Sequence, residues 1–309
     1  MYDVLILGAG PSGLAAAIYA GRANLKVGVI ENMMPGGQVL LTESVENYPG
    51  TVKGESGMEL IMRFEQSAKD FGAEFIHDDI VEVELAGDVK VLKGANNEYR
   101  SKTVIIATGS KRRKLDLPGE SEFIGRGISF CATCDGAFFK NKDVFVIGGG
   151  DAAIEEAVYL TRYAKKVTVI HRRDELRAVK SLQIKAFENE KIDFMWNTVP
   201  VAFIGEGLLT GIRVKDVNTG EEKVVESSNA GENIGVFIFV GNLPNTEKLV
   251  GHIDVDKSGF IFTDKEMRTN VSGVYAAGDV RVKTLRQVVT ATADGAIAAY
   301  DASKYLEEK

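Results

Sequence analysis

The sequence predicts an α/β protein built from two Rossmann-like dinucleotide-binding domains, one inserted into the other. Three observations carry this. A strand–glycine turn–helix–strand unit opens the chain, the same unit recurs from Asp143, and two proline-containing connectors bracket the second copy. The 309 residues carry 37 Lys+Arg against 44 Asp+Glu, a formal net charge of −7, which argues against a nucleic-acid partner. A hydrophobic fraction of 45% excludes a disordered chain. With no run of about 18 apolar residues, no membrane span is expected.

The elements follow in order. Tyr2–Leu7 is a short apolar strand rather than a signal peptide, since no basic region precedes it. Gly8-Ala9-Gly10-Pro11-Ser12-Gly13 is the turn, the Ala-rich stretch Leu14–Arg22 a helix, and Lys26–Ile30 the second strand, ending at Glu31. A Gly-rich loop, Pro35-Gly36-Gly37, precedes a helical spacing of apolar residues from Met58 to Phe71. Short strands are expected over Phe75–Leu85, Val89–Leu92 and Thr103–Ala107. The second unit comprises a strand at Asp143–Ile147, the turn Gly148-Gly149-Gly150-Asp151-Ala152-Ala153, a helix over Ile154–Tyr163 and a strand at Lys166–Ile170. Gly8 to Glu31 and Gly148 to His171 both span 23 positions, so the units align without a gap and two different dinucleotides are expected. The connectors Lys114–Gly119 and Gly241–Asn245 set the expected domains at 1–114 with 246–309, and 115–245. Gly273–Asp279 and an Ala-rich helix from about Gln287 complete the first domain.

The three glycines of Gly8-x-Gly10-x-x-Gly13 serve different ends. The first permits a tight turn, the second lets backbone approach a pyrophosphate closely, and the third lets helix meet strand. The helix N-terminus then faces the phosphates with its positive end. Glu31, at the end of the second strand, is placed to accept from ribose hydroxyls. The second fingerprint is Gly148-x-Gly150-x-x-Ala153. Where the first unit has its acid, this one has His171, followed by Arg172, Arg173 and Arg177. A carboxylate there would repel a 2′-phosphate, whereas guanidinium groups bind it through charge-assisted hydrogen bonds. This half is therefore expected to prefer NADPH to NADH.

The two cysteines, Cys131 and Cys134, form a Cys-x-x-Cys pair. With three His in the chain and none beside the pair, a metal site lacks ligands, and no metal is expected. A redox disulfide fits better, with the adjacent Asp135 placed to exchange protons with a thiolate.

These motifs together resemble the bacterial-type, low-molecular-weight thioredoxin-disulfide reductases. The resemblance runs from Asp3 to the last helix. It rests on Gly8–Gly13, Pro35-Gly36-Gly37-Gln38, Val45–Gly50 with Asn47, Ile105-Ile106-Ala107-Thr108-Gly109, Cys131–Asp135, Gly148–Asp151, His171–Arg177, Gly278-Asp279 and Arg286-Gln287-Val288. It implies FAD in the first domain, with Gly278-Asp279 at the phosphate–ribityl region and Arg286-Gln287-Val288 along the flavin, and NADPH in the second. It further implies that Cys134 faces the flavin, that Cys131 attacks thioredoxin, and that the protein is a cytoplasmic homodimer. Ala152 departs from the family, which usually has a hydroxyl residue there, removing one hydrogen bond to NADPH. The segment Glu226–Glu232 is longer than usual and receives no function. Ferredoxin-dependent or NADH-using relatives, an NAD(P)H oxidase and a redox-sensing flavoprotein are the alternatives on the same fold. Gly125-Arg126-Gly127 and Phe138-Phe139 flank the redox pair and are the expected docking surface, unless both rings are core.

Overall fold

Period-two alternation of apolar residues produces the central strands. In β1 (Tyr2–Leu7), Val4 and Ile6 enter one buried cluster and Leu5 the opposite one, all 0% exposed. The computed structural model describes residues 1–42, 45–229 and 231–309 and divides into two units, 1–111 with 242–309, and 112–241.

In the first unit β1 is followed by α1 (Pro11–Arg22) and β2 (Val27–Glu31). The helix starts at Pro11, three residues before the Ala-rich stretch, because proline is suited to the first helical position. Next comes α2 (Gly57–Asp70), closed at its start by a capping box in which Ser56 Oγ accepts from Glu59 N at 3.2 Å and Glu59 Oε2 accepts from Ser56 N at 2.8 Å. The strand-forming stretch Phe75–Leu85 is divided into β3 (Glu74–His77) and β4 (Ile80–Glu84). Asp78, 3% exposed, breaks it by turning its carboxylate inward to accept from Tyr99 Oη at 2.7 Å and Asn96 Nδ2 at 3.1 Å. Then follow β5 (Lys90–Gly94) and the longer β6 (Glu98–Ile106). The chain leaves through β7 (Ser110–Arg112).

The second unit opens with α3 (Glu120–Phe123), β8 (Ile128–Ser129) and the single turn α4 (Ala132–Asp135). Its repeat of the opening motif is β9 (Asp143–Ile147), α5 (Asp151–Leu160) and β10 (Lys166–Ile170). After α6 (Lys180–Phe187) and β11 (Ile192–Met195) comes an antiparallel meander of β12 (Thr198–Glu206), β13 (Leu208–Asp216) and β14 (Glu222–Glu226), then β15 (Gly235–Ile238). Strand β16 (Asn242–Pro244) returns the chain to the first unit, which ends with β17 (Val274–Ala276) and α7 (Val288–Glu307).

Strands β3, β2, β1, β6 and β17 lie parallel, and β5 and β4 extend the same sheet antiparallel from β6. The second unit holds the all-parallel sheet β11–β10–β9–β15–β8. Both glycine turns leave the carboxyl end of a central strand, where parallel sheets bind ligands. Within the Glu226–Glu232 segment, Ala230 lies outside the described residues; Ser228 donates from its N–H to Asp143 Oδ2 at 2.6 Å, tying the segment to the start of β9.

Candidate active site

Three clusters of chemistry-bearing residues stand on these elements. The first surrounds the turn after β1. Gly8 has φ +107°, and a Cβ there would lie 2.5 Å from Ala107 O, so only glycine fits against the end of β6. An added Cβ at Gly10 would meet nothing within 4 Å, while one at Gly37 would find only Gly10 Cα at 3.8 Å. Bare backbone therefore borders open space at the start of α1, as a pyrophosphate requires. Gly36 N donates to Ala9 O at 2.9 Å, which brings the Pro35–Gln38 loop to the turn. Glu31 Oε2 accepts from Ala9 N at 2.9 Å, and its Oε1 from Asn32 N at 2.9 Å.

Gly278 and Thr108 reach the same turn, and other predicted residues pair with one another. A Cβ on Gly278 would lie 2.6 Å from Ser12 Oγ. Thr108 Oγ1 donates to Asn245 O at 2.8 Å, and Asn245 Nδ2 returns a bond of 2.8 Å to Thr108 O. Asn47 Nδ2 donates to Gln287 Oε1 at 3.1 Å, joining two motifs 240 residues apart. The Arg286 guanidinium lies over the Phe260 ring at 4.3 Å. Its Nε is buried without a hydrogen-bond partner among the described residues, and burial lowers its pKa. Such an orphaned donor fits a polar edge of a bound ring system.

The second cluster repeats the turn. Gly148 has φ +150°, and a Cβ there would lie 2.5 Å from Phe239 O, the counterpart of the Gly8 contact. His171, 6% exposed, tucks its imidazole under Gly149, where any Cβ would collide with the ring. Burial holds its pKa below the usual histidine value, with the Arg177, Arg172 and Arg173 charges adding to the shift. His171 thus supports the turn from beneath, while Arg172 and Arg173 are exposed. Arg177 leans over it: a Cβ on Gly150 would find only Arg177 Nη2, at 3.7 Å. Ala152 is exposed beside it on the first turn of α5.

The third cluster is the cysteine pair, joined as a disulfide with Cα atoms 5.3 Å apart. Cys131 caps α4, its Sγ accepting from Cys134 N at 3.2 Å. Cys131 is 8% exposed and Cys134 half-buried. Ser129 Oγ donates to Asp135 Oδ2 at 2.5 Å and accepts from Cys131 N at 3.1 Å, so one hydroxyl orients both the carboxylate and the first cysteine. Of the two flanking phenylalanines, Phe139 is core, edge-on to Phe237 at 5.3 Å, and Phe138 is 57% exposed. Arg126 is exposed as well.

The family model for pyridine nucleotide-disulphide oxidoreductases matches residues 2–295. Thioredoxin reductase of Peptoclostridium litorale is 51% identical over 308 residues, covering 100% of this chain and 98% of that one. The enzyme of that name from Bacillus subtilis (strain 168) is 48% identical over 309 residues, covering 100% and 96%. The crystal structure of thioredoxin reductase from Streptococcus pyogenes MGAS5005 has a TM-score of 0.91 at 47% identity, covering 100% and 99%. The chain belongs to the thioredoxin reductase family of pyridine nucleotide-disulphide oxidoreductases.

A thioredoxin reductase of this kind uses a flavin and a nicotinamide cofactor, and the two glycine turns offer dinucleotide cradles. Two supporting residues of this family member carry no signal in the motifs. Ser129 sits two positions before Cys131 and belongs to no pattern of its own. Asp294, 7% exposed on α7, accepts from Gly278 N at 3.1 Å and from Lys283 Nζ at 2.7 Å, fixing the Gly278-Asp279 turn. A buried acid on an Ala-rich helix is the signal that could have found it. No helix among the described residues is long and apolar enough to cross a membrane.

Proposed function

We propose that this protein is an NADPH-dependent thioredoxin-disulfide reductase, with FAD in the first unit, NADPH in the second and Cys131–Cys134 as its redox disulfide. The observation that carries this reading is the disulfide turn of α4, in the same unit as a glycine turn overhung by Arg177. Bound FAD and NADPH would supply the electron pair that opens the Cys131–Cys134 disulfide.

The protein's own residues do the rest. Gly8, Gly10 and Gly13 admit the FAD pyrophosphate to the α1 N-terminus, Glu31 accepts from its ribose, and Arg286 contributes its free Nε to the ring edge. Pro11, Ser12, Gly36, Gly37, Gln38, Asn47, Ala107, Thr108, Gly109, Gly278, Asp279, Gln287 and Val288 complete that surface. Gly148, Gly149, Gly150, Asp151, Ala152 and Ala153 form the second cradle over His171, and Arg172, Arg173 and Arg177 neutralise the 2′-phosphate. In the dithiol state the Cys131 thiolate attacks the partner disulfide, a mixed disulfide forms, and one partner thiolate leaves and takes a proton. Cys134 then attacks Cys131 Sγ, releases the second partner thiol and restores the Cys131–Cys134 bond. Asp135, oriented by Ser129, delivers and recovers the proton. Because Cys131 is 8% exposed, its attack on a protein partner requires the turn carrying it to open.

Exposed Phe138 and Arg126 beside the redox turn fit the thioredoxin-docking surface. Tyr19, Met62 and Tyr300 stand 51%, 61% and 59% exposed on α1, α2 and α7, large exposed side chains that fit a homodimer contact. Dependence on NADPH and on reduced partner thiols fits the cytoplasm. The arginines favour this reading over a ferredoxin-dependent or NADH-using relative.

The deciding experiment is NADPH oxidation coupled to thioredoxin reduction by the yellow, FAD-loaded protein. Turnover with NADPH and thioredoxin, lost in both Cys131→Ser and Cys134→Ser, is expected. NADPH oxidation with oxygen as sole acceptor would identify an oxidase, and FAD binding without turnover a sensor.

A further inference from the structure

The segment between β10 and α6 carries all three arginines, and it is held to the second glycine turn at both ends. At its start the His171 ring lies under Gly149, and Arg173 O accepts from Asn197 N at 3.1 Å. At its end three consecutive N–H groups point at the turn. Gly149 O accepts from Arg177 N at 2.8 Å and from Ala178 N at 3.2 Å, and Asp151 Oδ1 accepts from Val179 N at 2.7 Å. The first two acceptances use backbone and come with the turn whatever its side chains. The third depends on Asp151.

Asp151 is the first residue of α5, at the helix end that a dinucleotide phosphate approaches. A carboxylate there lowers the affinity for an anion by simple repulsion. Its hydrogen bond does something else: it fixes Val179, two residues beyond Arg177, and Arg177 Nη2 is the atom that overhangs Gly150. The first unit has Pro11 at the matching position, 140 residues earlier, and no arginine arm to hold.

We infer that Asp151 is a positioning residue for 2′-phosphate recognition, clamping the Arg172–Val179 arm to the glycine turn so that its guanidinium groups meet the phosphate already in place. This deepens the NADPH reading above and rests on it. Asp151 repels the cofactor as a charge and serves it as an acceptor.

The test uses the FAD-loaded protein and two probes without a nicotinamide, 2′,5′-ADP and 5′-AMP, titrated by calorimetry. Wild type is expected to bind 2′,5′-ADP the more tightly; equal binding overturns the NADPH reading itself and the clamp with it. Asp151→Ala is expected to weaken 2′,5′-ADP about five- to tenfold and 5′-AMP by less than about twofold, the loss of one charge-assisted bond acting through the arm. Asp151→Asn keeps an acceptor for Val179 N–H and is expected to bind 2′,5′-ADP within about twofold of wild type or better. Val179→Pro removes the donor instead. Val179 has φ −61°, which proline adopts, so this variant is expected to reproduce the selective loss without touching the turn. The clamp is refuted if Asp151→Ala weakens both probes alike, if Asn fails to rescue, or if Val179→Pro leaves discrimination intact.

Discussion

In the first unit the carboxylate tying the glycine turn to the neighbouring strand end is Glu31, whose Oε2 accepts from Ala9 N at 2.9 Å. In the second the carboxylate is Asp151, which sits in the turn and reaches forward to Val179 N, at the start of α6, at 2.7 Å. The two turns share a glycine pressed 2.5 Å from a carbonyl at its would-be Cβ, Ala107 O in one and Phe239 O in the other. They differ in which side of the junction contributes the acid. Placing it at the strand end leaves an acceptor for ribose hydroxyls. Placing it in the turn clears the strand end for cations, and His171 fills the vacated place as a buried support. One backbone motif thus offers two different cradles by moving one charge.

The comparison can be broken most decisively at the third glycine. A Cβ on Gly13 would collide with Gly8 O, whereas the matching position of the second turn is Ala153, 1% exposed. Gly13→Ala is expected to cost about 3 kcal/mol and to yield protein without bound flavin, measured by visible absorbance and thermal melting. Ala153→Gly should lose only about 1 kcal/mol.

Exchanging the strand-end charges comes next. Arg172→Ala and Arg173→Ala should each raise KM for NADPH by about one to two orders of magnitude, from lost charge-assisted bonds of about 1.5–3 kcal/mol, and raise that for NADH far less. Equal effects on both would reduce the arginines to a solvated face.

The second unit also carries surface that the first lacks. Phe138→Ala should raise KM for thioredoxin about five- to thirtyfold, with flavin reduction by NADPH unchanged. Phe139→Ala should instead destabilise the fold by about 3 kcal/mol. Steady-state kinetics and melting separate the two rings.

The smallest effect concerns Glu156, which stands on α5 where α1 has the fully buried Ala16. Burial, with no partner for Oε2 among the described residues, pushes its pKa up from 4.5 to about 7, the Glu155 charge adding to the shift. The folded protein therefore holds this proton more tightly than the unfolded chain, and stability falls as pH rises from about 4.5 to about 7. Glu156→Gln should melt a few degrees higher than wild type at pH 8 and alike at pH 4.

What was legible in the sequence was local. Glycines at fixed offsets, an acid or arginines at a strand end, and a Cys-x-x-Cys pair state their chemistry within a few residues of chain. Asn245 was illegible because its partner is set by folding: it meets Thr108 across 137 residues. Ser129 stands close to its partners in the chain, but a serine outside any motif gives no sign that it will bond them. Phe138 and Phe139 were ambiguous as neighbours of equal character, decided only by which one Phe237 receives. The role of Asp78 was hidden because adjacent acids in a strand-forming stretch do not reveal which one will turn inward to Tyr99.

The redox turn has a thermodynamic consequence. The disulfide spans a sequence separation of 3, and Asp135 N already donates to Cys131 O at 3.1 Å across the same single helical turn. A cross-link stabilises mainly by the chain freedom it removes, and a loop this short has little to remove. The turn is also held by its backbone hydrogen bond and anchored at its far end by Phe139 in the core, so its shape does not rest on the sulfur–sulfur bond alone. Electron storage is thereby only weakly coupled to folding free energy, and the melting point is expected to change little between the disulfide and the dithiol.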